Sequence, residues 1–158
     1  MPHDHPNVRT VTAALRDAGL TGEVVVLPAA APTAAAAAEQ LGCVVGAIAN
    51  SLVFDADGVP VLVLTSGAHR VDTTALAGHL GVAAVRRATP EFVRTHTGQP
   101  IGGVAPVGHP APLRTLVDEW LAQHDQVWAA AGHPHTVFPT TFDELVALTG
   151  GQPLAIER

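Results

Sequence analysis

The chain reads as an α/β protein of the α+β kind, a mixed, mostly antiparallel, barrel-like sheet surrounded by helices. Three observations predict this. Short apolar runs of strand type recur along the whole length, two of them joined by a turn too short for a crossover helix. Helical segments with capping residues and glycine stops lie between these runs. No linker or repeat interrupts the 158 residues, so one domain over 1–158 is expected.

The elements follow in order. Asn7 caps a first helix whose apolar side is Val8, Val11, Leu15 and Ala18, with Gly19 as its stop. Residues 23–27 form a buried strand ended by Pro28. Thr33 caps an alanine-rich helix that runs through Leu41 to Gly42, and its small side chains suit close packing on a sheet. Strands at 51–54 and 59–64 flank the turn Asp55-Ala56-Asp57-Gly58, with Pro60 marking an edge or a bulge. Asp72 caps a helix to Leu80, a strand covers 82–85, and Thr89-Pro90-Glu91 opens another helix. Strands follow at 113–117, 126–130 and 135–138. Thr141 and Glu144 make a capping box for a helix stopped by Gly150, and residues 154–156 close the sheet.

Composition narrows the function. Hydrophobic residues make up 47% and charged residues 14%, the balance of a packed globule rather than a disordered chain. No apolar run reaches the ~20 residues of a membrane span, and residues 1–5 lack the basic and apolar stretches of a secretory signal. Cys43 is the single cysteine, which excludes an internal disulfide and leads us to expect a cytoplasmic protein. A net charge of −6 disfavours broad electrostatic binding of nucleic acid, and we expect no DNA and no membrane among the partners. All eight basic residues are arginine, so Schiff-base chemistry on a lysine is excluded.

The most informative stretch is Ile101-Gly102-Gly103-Val104-Ala105-Pro106-Val107-Gly108-His109. Glycine lets backbone amides come close to a ligand, and proline stiffens the segment. Such a loop can offer N–H groups to a carbonyl or a phosphate, although the same pattern also makes an ordinary turn. Nine histidines invite a metal, with His133 and His135 as a pair and His96 and His109 elsewhere. No helical His-x-x-x-His or Cys-x-x-Cys supports one, so we expect neither metal nor cofactor. Cys43 fits a small buried hydrophobe better than a nucleophile, and Ser66-Gly67 lacks the Gly-x-Ser-x-Gly elbow. Arg86-Arg87 fits a phosphate contact or a solvated strand end equally well. Trp120 and Trp128 are expected in the core. Asn50, in an apolar run, either caps a turn or points into a pocket.

Taken together, Glu39-Gln40-Leu41-Gly42, Ile48-Ala49-Asn50-Ser51-Leu52-Val53-Phe54, Val71-Asp72, the Gly-Gly-x-x-Pro-x-Gly block and Ala131-Gly132-His133-Pro134-His135 resemble the YbaK/ProX family of aminoacyl-tRNA editing domains. The resemblance covers nearly the entire chain. It implies hydrolysis of the ester between a wrong amino acid and a tRNA, commonly a small amino acid on the proline tRNA. It also implies that the partners are the acceptor end of that tRNA and, in addition, an aminoacyl-tRNA synthetase. Gly102 and Gly103 would offer amides to the scissile carbonyl, with Asn50, Ser51, Val104, Pro106, His109, Ala131 and Gly132 around the substrate. The family's pattern has a lysine where this chain has Asn50, so a charge for the substrate's phosphate or ribose is missing. Whether Arg70 or Arg87 arrives from elsewhere to replace it is left open. Alanines at Ala130 and Ala131, where a serine is common, keep the amino-acid selectivity from being carried over.

Such an ester is already activated, so a site can work by oxyanion stabilisation alone, with water or a substrate group attacking. His109 would orient water or ribose, or else brace the turn. The alternative is a module that binds an aminoacyl-tRNA or aminoacyl-nucleotide without cleaving it.

Overall fold

The computed structural model describes residues 4–156 and has five α-helices and eight strands among them. Helix α1 (Pro6–Asp17) leads to β1 (Val25–Val26), α2 (Ala34–Leu41) and the hairpin β2 (Ile48–Ala56) and β3 (Val59–Ser66). Then come α3 (Thr73–Leu80), β4 (Val85–Arg87), α4 (Pro90–Thr97) and the glycine loop. The chain ends through β5 (Arg114–Asp118), β6 (Val127–Ala130), β7 (Thr136–Thr140), α5 (Phe142–Thr149) and β8 (Gln152–Leu154). Single-turn 3₁₀ segments at Val45–Ala47 and Glu119–Gln123 carry no periodic apolar pattern and were not anticipated.

The caps formed as their chemistry dictates. Thr33, Asp72, Thr89 and Thr141 each accept a hydrogen bond from an amide of their helix's first turn, and Gly42, Gly81, Gly98 and Gly150 end the helices left-handed. The first helix starts two positions early, because His5 rather than Asn7 is its cap. Only half of the box at α5 forms, since the Glu144 carboxylate turns to accept from Thr140 Oγ1.

The sheet is mixed and open, in the order β1-β7-β6-β2-β3-β5-β8, with β4 attached to β2. The expected mixed, barrel-like sheet is present among the described residues and is not closed, with β1 and β8 at its ends. The buried strand expected at 23–27 is corrected. Only Val25 and Val26 pair, against β7, and they are exposed at 37% and 36% because a terminal strand has one covered flank at most. Strand β3 is central, and its residues alternate between two cores. Leu62 and Leu64 join Leu15, Val104, Phe138 and Leu145, while Val61 and Val63 join Phe54, Leu76 and Leu116. Pro60 stands opposite Asp55, one place before the ladder to β5 begins at Val61, so its missing N–H costs no bond to a partner strand. Trp120 does not fill the core but is 43% exposed, stacked on His69.

One feature of this topology makes the site. Strand β2 has β3 along one flank, but its other flank is shared. Strand β6 runs parallel to its beginning at Ile48 and Ala49, and β4 pairs antiparallel with Phe54, Asp55 and Ala56. Positions 50–52 between them have no partner strand on that flank. The sheet parts there, and α2 and the glycine loop come down around the opening.

Candidate functional site

A groove of about 660 Å³ fills the opening in the sheet. Its floor is Asn50 to Phe54 of β2, and its walls include Thr33 and Ala34 of α2, Ile101, Gly102 and Val104 of the loop, and Arg70 and Arg87. A smaller cavity of about 40 Å³ adjoins it, lined in part by Ala31, Ala37, Ala129, Ala130 and Trp128. Both cavities share Asn50, Ser51, Gly102 and Val104, which therefore stand where groove and annex meet. Asn50 points to the pocket reading rather than a turn cap, since it lies inside β2 opposite Thr65. Ser51 Oγ is buried without a hydrogen-bond partner among the described residues, a costly state for a hydroxyl unless a ligand completes it.

The loop owes its shape to its own amides. The Gly103 N–H donates to the Pro100 carbonyl at 3.0 Å, closing a tight turn in which Gly102 has φ +88. A positive φ at that third position is the signature of a type II turn and suits glycine. The Ala105 N–H donates to Gln99 Oε1 at 2.7 Å, and Gln99 Nε2 donates to the carbonyls of Val107 and Gly108. Gln99 is 2% exposed, a buried amide that ties the loop from inside and that sequence reasoning missed. The amides of Ile101, Gly102 and Val104 have no hydrogen-bond partner among the described residues; all three residues line the groove, and Gly102 and Val104 line the smaller cavity as well.

Gly103 is thus corrected from amide donor to packing residue. A Cβ there would lie 2.8 Å from the His133 carbonyl carbon and 2.9 Å from Pro134 Cδ, so the loop rests on the turn before β7. His109 also faces its own loop. Its Nε2–H donates to the Ala105 carbonyl at 2.8 Å, and burial lowers its pKa more than that bond raises it. Pro106, Ala131 and Gly132 are buried and line neither cavity, and Gly132 packs against the Asn7 backbone.

The histidines do not gather into a metal centre, because no group of three possible ligands occurs among the described residues. His5, His133 and His135 lie in a row instead, their rings tilted against one another with centres 5.2 and 5.4 Å apart. Burial and then the two neighbouring rings hold the His133 pKa down. Cys43 is partly buried, which pushes its thiol pKa up and away from nucleophilic use.

A further cluster escaped the sequence altogether. Asp118, 1% exposed, accepts from the Ser66 amide and from His69 Nδ1 through Oδ2, and from the Trp120 amide through Oδ1. It anchors the segment after β3, so that His69 and Arg70 reach the groove wall from a fixed base. A lone aspartate at a strand end carries no signal for this, since its partners lie 49 and 52 positions away.

An open mixed sheet, with a groove at its parting and a glycine loop on the groove wall, defines the architecture of this α/β domain. A family model, the aminoacyl-tRNA editing domain, matches residues 28–148, and the chain belongs to that family. It is 33% identical over 120 residues to the proline–tRNA ligase of Nitratidesulfovibrio vulgaris strain DP4, covering 67% of this chain and 21% of the ligase. It is 34% identical over 95 residues to that of Levilactobacillus brevis, covering 60% of this chain and 16% of the ligase. The chain therefore spans only a minor part of those relatives. A solved protein proposed to be a trans-editing enzyme for prolyl-tRNA synthetase superposes with TM-score 0.89 at 43% identity, over 98% of both chains. The hypothetical protein APE2540 follows at TM-score 0.86 and 27% identity, over 94% of this chain and 99% of its own.

Proposed function

We propose that the chain is a deacylase acting in trans on mischarged tRNA, with proline tRNA carrying a small wrong amino acid as its substrate. The observation that carries this reading is the pair of unpartnered amides at Gly102 and Val104, set where groove and annex meet. The ester carbonyl oxygen sits against these amides. Water, or a nucleophilic group of the substrate itself, attacks the carbonyl carbon, and the resulting oxyanion is held by N–H groups already in place. The ester C–O bond then breaks and the ribose oxygen takes up the proton. Ser51 Oγ finds its missing partner in the ribose or the amino group. The annex admits a side chain of a few heavy atoms, since one water-sized probe needs ~10–15 Å³ of such space and the annex offers about 40 Å³.

The protein, on this reading, meets its substrate in the cytoplasm, delivered by or released from a synthetase. A second reading is favoured by Asn50, which puts an uncharged amide on the floor of both cavities, where a charge would grip a ligand harder. The groove would then hold an aminoacyl-nucleotide without cleaving it. A deacylation assay over proline tRNA charged with alanine, cysteine, serine or proline separates the two. Turnover of the small wrong esters, with prolyl-tRNA spared, is expected. Binding of the charged tRNA without turnover of any ester would establish the module instead.

A further inference from the structure

The groove has a charge that the rest of the molecule opposes. The chain carries −6 overall, yet among the described residues no aspartate or glutamate lines the groove, while Arg70 and Arg87 both do. Arg87 ends β4 in register with Phe54, and Arg70 follows the segment that Asp118 anchors. Neither guanidinium has an ion pair or hydrogen bond among the described residues, and both side chains are exposed. Two exposed guanidinium groups on the wall of one groove, in an otherwise acidic protein, give that groove a local positive potential that attracts anions. Planar guanidinium groups suit the paired oxygens of a phosphate.

We infer that Arg70 and Arg87 form a phosphodiester subsite, which grips the backbone of a single-stranded RNA end while its terminal nucleoside enters at Asn50 and Ser51. This rests on the proposed deacylase reading for the identity of the RNA and adds the part of the substrate that lies outside the annex. The neutral Asn50 then needs no charge of its own, because Arg70 and Arg87 hold the phosphates.

The test compares two non-hydrolysable probes, an alanyl-amide of the trinucleotide CCA and an alanyl-amide of adenosine, which lacks any phosphodiester. In wild type the trinucleotide is expected to bind at least about tenfold more tightly at low salt. That advantage should fall with a log–log salt slope of about −1.4, the value for two neutralised phosphates on a single strand. Replacing both arginines (Arg70→Ala with Arg87→Ala) should abolish the advantage and leave the adenosine probe unchanged. The control pair Arg94→Ala and Arg114→Ala, outside the groove, should keep it. Equal binding of the two probes to wild type, or an advantage that survives the double replacement, overturns the inference. The uncharged trinucleotide CCA with no amino acid separates the two readings. If it alone binds, in an arginine-dependent way, the subsite stands and the deacylase reading falls. If no oligonucleotide binds, the subsite falls, and competition by inorganic phosphate alone would mark the groove as a free-anion site.

Discussion

Gln99 shapes the glycine loop from inside without lining the groove itself. Its one side chain meets three backbone groups of the loop, at Ala105, Val107 and Gly108. Gln99→Leu removes all three bonds at nearly equal volume, leaving buried polar groups unpaired at about 1–3 kcal/mol each before relaxation. Thermal unfolding should show a Tm several degrees lower, and turnover should fall with it as the Gly102 and Val104 amides lose their fixed direction. His109 gives the same loop a pH dependence. Its folded-state pKa lies below the unfolded value, so the folded protein resists a proton that the unfolded chain accepts near ~6.5. The stability linked to it is therefore whole above that pH and is lost as the pH falls below it. His133 shifts in the same direction and adds to the effect. Melting temperatures recorded from pH 7.5 to 5.5 should fall, and His109→Gln should flatten that slope.

Among the elements, those governed by local chemistry were legible and those governed by pairing were not. The helices opened by Thr33, Asp72, Thr89 and Thr141 stand where their caps and glycines put them, because a cap is satisfied within four residues. Strand β4 lies at Val85–Arg87 rather than 82–85, since its register is set by β2, thirty residues earlier, and by no pattern of its own. The glycine block was legible as a site but not in its division of labour. Which amides face a ligand depends on the turn that Gly103 closes and on a contact with His133 from another part of the chain. That contact makes a prediction. Gly103→Ala places a Cβ within 2.9 Å of the His133 backbone, which cannot yield as a side chain end can. The loop must lift, at about 1–3 kcal/mol, and hydrogen exchange of the Ala105 amide should accelerate while helices α3 and α5 keep their protection.

Over the molecule as a whole, the groove follows from a sheet that fails to pair along one flank. A strand paired with positions 50–52 on that flank would occupy the opening beside Asn50 and Ser51. The polar pair Asn50-Ser51 inside the apolar run of β2 hinted at a pocket, but nothing in the run shows that this flank goes unpaired, because that depends on where β4 and β6 end. Composition did reveal that chemistry would have to come without lysine, and it left the backbone as the natural donor. The central claim is that two main-chain amides, and no reactive side chain, accelerate cleavage of the ester. Single-turnover hydrolysis of alanyl-tRNA for proline, with enzyme in saturating excess, tests it most directly. Gly102 has φ +88 and lies 3.3 Å from Pro32 by its would-be Cβ, so Gly102→Ala must twist the turn. The rate should drop about 10²-fold, as for loss of one oxyanion donor, while Asn50→Ala and Ser51→Ala keep theirs within about tenfold. A Gly102→Ala rate equal to wild type, or a collapse with Ser51→Ala alone, would contradict the account.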